Sequence, residues 1–127
     1  TEGGLDVCGD TGRIRKAIEK LRDAGILVSL FLDPDTQQID SAADLGVDAV
    51  ELHTGPYAHA AHPSAGREAR SAQFVRLTSA SKHVVDVGLR LHAGHGLNYV
   101  NVRPVAKIPG MIELNIGHAI VSRSVMV

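Results

Sequence analysis

Four short apolar runs, each stopped by Asp, Gly or His and separated by segments of helical period, constrain this chain more than any other feature. They cover residues 26–32, 47–53, 89–92 and 111–116. The first is interrupted only by Ser29 and reads as a strand buried on both faces, as in a parallel sheet. Between the runs the apolar spacing changes. Ile14, Ala17, Ile18 and Leu21 fall on one helix face, predicting a helix over 13–24 that Gly25 stops. Asp35 is placed to cap a helix over 36–45, closed by Gly46. A loop of small residues and histidines at 58–66 leads into a long helix over 67–86, ended by Gly88. Asn98 can cap a short helix reaching 107, and a last apolar segment occupies 119–127.

Strands alternating with helices across short Gly-bounded turns predict a parallel sheet with helical crossovers. A (β/α)8 barrel and a doubly wound open sheet both satisfy that pattern. Four strands cannot close an eight-stranded barrel, so on the barrel reading 1–127 is one partial domain of about four βα units. Thr1 stands where an initiator Met is expected, so the chain reads as a piece or processed form of something longer.

Composition narrows the function classes. Aromatics are only 3% of the 127 residues, so the core must be built from Val, Ile, Leu and Ala. A net charge of −1 offers no electrostatic argument for binding nucleic acid or an anionic membrane. No apolar run approaches the roughly 20 residues that span a bilayer, and 1–4 has no signal-peptide character. The single cysteine, Cys8, excludes an internal disulfide and a cysteine-based zinc cluster. It reads as a plain small residue in a protein of the cytoplasm.

In parallel α/β folds ligands bind at the carboxyl ends of the strands. The first run delivers Asp33 there, although Asp before Pro34 is also ordinary turn chemistry. The second delivers Glu51 and His53, which share a face because strand side chains alternate. A carboxylate inside an apolar strand is costly unless it is paired or used, which favours a functional Glu51. The third ends in Gly94-His95-Gly96 and the fourth in Asn115, Gly117 and His118. Gly117-His118, placed where a strand passes into a helix, is a candidate phosphate cradle of bare N–H groups. Gly94-His95-Gly96 is either a similar opening with an imidazole in it or a tight turn. His92 reads equally as a packed core histidine. His59, His62 and His83 read as solvent-facing, and Met111 and Ile112 as core. Glu51, His53, His95 and His118 could together ligate zinc or manganese, though their spacing matches no local ligand motif.

Several longer stretches carry a resemblance. These are Thr1-Glu2-Gly3-Gly4-Leu5-Asp6-Val7, Glu51-Leu52-His53-Thr54-Gly55 with Tyr57-Ala58, His92 through Tyr99 with Asn101-Val102, and Ile108-Pro109 with Glu113 through Ile120. In this order, and almost end to end, the chain resembles the pyridoxine 5′-phosphate synthase family. The resemblance implies a (β/α)8 barrel in a cytosolic homo-oligomer, typically an octamer. It implies a transferase that condenses 1-deoxy-D-xylulose 5-phosphate with 3-amino-2-oxopropyl phosphate to pyridoxine 5′-phosphate, phosphate and water. It also implies small-molecule phosphates as the ligands and neither a metal nor an organic cofactor.

Residue by residue, His95 matches the family's catalytic proton donor, which also touches the aminoketone phosphate. Glu51 matches the glutamate that stabilises the transition state. Gly117 and His118 match positions that bind the aminoketone phosphate. The resemblance places the first strands before Thr1, with the His and Glu that act as bases and most groups holding the sugar phosphate. It places a final helix after Val127. Thr1 falls near the threonine that contacts the sugar phosphate. The chain is then expected to be the C-terminal part of such a barrel. A metal-dependent barrel enzyme acting on a sugar phosphate and a non-catalytic half-barrel are the alternatives.

Overall fold

The computed structural model describes residues 3–116 and the backbone of 120–123. Its five strands are β1 (Ser29–Leu32), β2 (Ala49–His53), β3 (Arg90–Leu97), β4 (Met111–Ile116) and β5 (Ile120–Arg123). They lie in the order β1-β2-β3-β4-β5, the first four parallel and β5 antiparallel to β4. The helices are α1 (Thr11–Asp23), α2 (Thr36–Asp44), α3 (Gly55–Ala60), α4 (Arg67–Asp86) and α5 (Val102–Ala106), with a 3₁₀ turn at Pro63–Ala65.

Each parallel strand is the immediate neighbour of the one before it in sequence, so every crossover steps in the same direction. Crossovers are right-handed, and steps in one direction put all their helices on one face. A doubly wound sheet reverses direction at a switch point, and no reversal occurs among β1–β4. The α/β class and parallel sheet expected from the sequence are present, wound in the sense of a barrel wall.

The strand period of two divides the sheet. Leu30, Leu32, Val50, Leu52, Leu91, Ala93 and Leu114 are buried with Ile39, Ala42, Leu77, Val84 and Val105 of the helices. On the opposite face Phe31, Glu51, His92, Glu113 and Asn115 are only half-buried. α1 flanks the edge strand β1, so Ile14 and Ile18 are buried while Leu21 stays exposed.

Local chemistry sets the element ends. The Asp35 side chain accepts from the Gln37 N–H at 2.9 Å, the predicted cap of α2. Asp35→Ala is expected to cost about 1 kcal/mol, read as a lowered thermal midpoint of the full-length protein; an unchanged midpoint would show the cap to be dispensable. β1 begins three residues later than the apolar run predicts. The Asp48 carboxylate takes the Val28 N–H at 2.8 Å, and Ile26 and Leu27 remain exposed. Part of the predicted 58–66 loop is helical, because Pro56 near the start of α3 suits a helix N-terminus. The short helix expected up to 107 shrinks to Val102–Ala106, since Asn98 closes a turn instead of capping.

The largest departures are at the ends of β3 and β4. β3 does not stop at His92 but runs through Gly94-His95-Gly96 to Leu97. After β4 the chain does not enter a helix at 120: Ile120–Arg123 pairs back on β4, with Ile116 opposite Ile120. The β-branched pair Ile120-Val121 suits a strand, and the far edge of β4 supplies the partners. Gly117 and His118, the expected phosphate cradle, and Thr1 lie outside the described residues.

Candidate active site

The register brings the candidate residues together. Glu51 is opposite Phe31 on β1 and His92 on β3, and His53 is opposite Gly94, which is opposite Asn115. Glu51, His53, Gly94 and Asn115 therefore share one face at the carboxyl ends of three adjacent strands.

His95 arrives there by a different device. Gly94 pairs with Asn115 but Leu97 pairs with Ile116, so His95 and Gly96 form a bulge with no opposite residues on β4. Such bulges re-aim a side chain at the end of a strand. His95 has φ 87°, the only positive value among the described non-glycine residues, and Gly96 follows at φ 80°. A left-handed backbone at a non-glycine residue stores about 1–3 kcal/mol and must be held by its surroundings.

The surroundings are specific. The Thr54 N–H donates to the Gly94 carbonyl at 2.9 Å, and the Thr54 hydroxyl donates to the His95 carbonyl at 2.8 Å. The Asn101 side-chain amide donates to the Gly96 carbonyl at 3.2 Å. Tyr57 donates its hydroxyl to the Asn101 carbonyl at 2.7 Å. Burial pushes the Tyr57 phenol above its ordinary pKa, against a smaller pull from the Arg70 charge, so the donor stays protonated. Asn98 closes the turn beyond β3 by accepting from the N–H groups of Val100 and Asn101.

The two imidazoles meet edge to face, with ring centroids 4.8 Å apart and planes at 80°. The buried His53 ring also packs on Phe31, centroids 5.0 Å apart. Its Nδ1 accepts the Gly55 N–H at 3.2 Å, which assigns the proton of the neutral ring to Nε2. His95 is exposed and Glu51 half-buried. The Glu51 carboxylate lies over Gly94, where any Cβ would overlap Oε2 and come within 2.9 Å of the Asn115 Cβ. A Cβ on Gly55 would lie 3.1 Å from the His95 ring. The glycines here are the room in which the Glu51, His53 and His95 side chains sit.

Other sequence candidates take different roles. Asp33 accepts from the Gly4 N–H at 3.0 Å and ties the segment before α1 to the end of β1. His92 is half-buried on the Glu51 face rather than packed in the core. His59 and His62 are exposed as expected, and His62 caps the 3₁₀ turn through Ser64. His83 departs from its solvent-facing expectation: it is half-buried and contacts Asp40 of α2 at 2.6 Å. Ile112 is half-buried rather than core, because it sits where the β3–β4 register shifts. Cys8 is exposed, its sulfur near the Gln37 carbonyl and the Ser41 hydroxyl. Among the described residues no group of three His, Cys, Asp or Glu side chains is arranged to hold a metal. No described helix is long and apolar enough to cross a membrane. The sequence reading missed Thr54, Tyr57 and Asn101, although a Gly-x-Gly within a strand pattern is a recognised sign of a bulge.

The chain is similar in sequence to curated proteins over its whole length. It is 66% identical over 127 residues to a pyridoxine 5′-phosphate synthase of Rhodopirellula baltica, covering all of this chain and 50% of that protein. Pyridoxine 5′-phosphate synthases of Synechococcus and Cyanothece are 54% and 52% identical over the whole chain, which covers 52% and 51% of them. The chain thus spans about half the length of these relatives. The family model described as pyridoxal phosphate biosynthesis protein PdxJ matches residues 1–127. The chain belongs to the PdxJ family of pyridoxal phosphate biosynthesis proteins.

Proposed function

We propose that these residues are the C-terminal part of a (β/α)8 barrel with pyridoxine 5′-phosphate synthase activity, a cytoplasmic homo-oligomer on the octameric family pattern. The observation that carries this reading is the meeting of Glu51, His53 and the bulged His95 at one end of a singly wound parallel sheet. The relatives' shared name supports the same reading.

The reaction joins 1-deoxy-D-xylulose 5-phosphate to 3-amino-2-oxopropyl phosphate. Imine formation, phosphate elimination and ring closure each move protons, so positioned acids and bases suffice. In this assignment His95 is the proton donor, exposed on its bulge where a bound aminoketone can reach it. Glu51, held over Gly94 on the neighbouring strand, stabilises the charge that develops in the transition state. Gly117 and His118 bind the aminoketone phosphate, and the partner bases come from strands contributed by the rest of the full-length protein. The half-buried polar sheet face and the exposed Leu21 beside β1 support a missing complementary half. No resident metal or organic cofactor enters the scheme.

The test uses the full-length protein with both phosphates, with and without chelator. Pyridoxine 5′-phosphate at equal rates in both arms is expected. Product lost on chelation would make this a metal-dependent barrel enzyme, and no product in either arm would overturn the assignment. The isolated 127-residue chain is expected to give no turnover, because it holds the donor without the partner bases.

A further inference from the structure

We infer that Thr54 is a positioning residue of this site, its buried hydroxyl holding His95 in the left-handed bulge from which the imidazole reaches substrate. The inference rests on the synthase reading of His95 given above. Thr54 is fully buried and occupies the N-cap position of α3. A threonine there ordinarily accepts a hydrogen bond from the first turn of its own helix. Here the side chain makes no cap bond and instead donates across to the next strand, to the His95 carbonyl at 2.8 Å.

The alternative use is informative because α3 gives up its side-chain cap. That carbonyl belongs to the one described non-glycine residue with positive φ. Thr54 also fixes the preceding peptide, its N–H donating to the Gly94 carbonyl at 2.9 Å. One buried residue on the β2 side thus grips both peptides that define the direction of the His95 side chain. The β4 side offers His95 no ladder partner. Without the hydroxyl, the backbone is free to relax toward negative φ and to swing the imidazole out of line. Losing alignment of a catalytic group by about 1 Å can cost two orders of magnitude in rate.

The test compares Thr54→Val and Thr54→Ser in the full-length enzyme. Valine keeps the shape and removes the hydroxyl; serine keeps the hydroxyl. The valine variant is expected to lose about 10- to 100-fold in kcat, with KM for both phosphates within about threefold and the serine variant close to wild type. In a His95→Ala background, Thr54→Val should add no further loss, because its effect passes through His95. A multiplicative further loss there would mark a general structural role and overturn the inference. Wild-type turnover with an unaffected valine variant overturns the inference alone; a wild-type protein that forms no pyridoxine 5′-phosphate overturns the synthase reading and the inference with it. If Thr54→Val does not fold, Thr54→Ala removes the hydroxyl without bulk and takes the same test. Failure of both to fold would show Thr54 to be structural.

Discussion

Replacing His95 by asparagine in the full-length protein is expected to lower kcat by about 10²- to 10⁴-fold, the range for losing a positioned general acid. Asparagine is the informative substitute because it tolerates the left-handed backbone better than most residues. The bulge at φ 87° is then kept while the titrating ring is removed. Circular dichroism and the thermal midpoint should therefore stay near wild type. Steady-state kinetics with both phosphates reads the effect, and a loss under tenfold would remove His95 from the chemistry. The same substitution ends the edge-to-face contact with His53, so a small stability change is compatible with the assignment while a retained rate is not.

Gly94→Ala should be nearly as damaging, for a reason that involves no titrating atom of its own. The new Cβ would overlap the Glu51 carboxylate on one side and approach the Asn115 Cβ to 2.9 Å on the other. Gly94 sits in the ladder between β2 and β4, opposite both His53 and Asn115, so it cannot step aside without parting the strands. Overpacking of this kind costs about 1–3 kcal/mol, visible as a lowered denaturation midpoint. Displacing Glu51 should also reduce kcat by about two orders of magnitude. Glu51→Gln separates the two effects, since it should reduce turnover without the stability loss. If Gly94→Ala were as stable and as active as wild type, the carboxylate would not be resting where the structure puts it.

The parallel sheet was legible because its signals are local and redundant. Apolar runs of strand length, Gly25, Gly46 and Gly88 at helix ends, and Asp35 before α2 each say the same thing. Glu51 and His53 were legible as one-face neighbours from the period of two. The extent of β3 was not, because Gly-His-Gly has the composition of a turn and what holds it is distant in sequence: the ladder pairs of Gly94 and Leu97 and the side chains of Thr54 and Asn101. Thr54 escaped notice for a similar reason. Its hydroxyl serves a carbonyl 41 residues away, and nothing nearby in the sequence announces that partner. The first residues of the first apolar run were misplaced because a single side chain, Asp48, competes for the Val28 N–H. Where the sequence reading has a strand passing into a helix after β4, the chain follows the open edge of β4 instead.

The alternation along β2 has an evolutionary consequence. Val50 and Leu52 face the helices and are fully buried, whereas Glu51 and His53, which alternate with them, face the candidate site. On the assignment proposed above, neighbouring positions answer to separate selective pressures, one for holding the domain together and one for what it transforms. A lineage could exchange Glu51 or His53 for other polar groups and acquire a new substrate while the helix-facing layer stayed untouched. The reverse also holds: repacking Val50 and Leu52 could raise the tolerated temperature with little effect on chemistry. A scaffold divided this finely can be retuned one residue at a time.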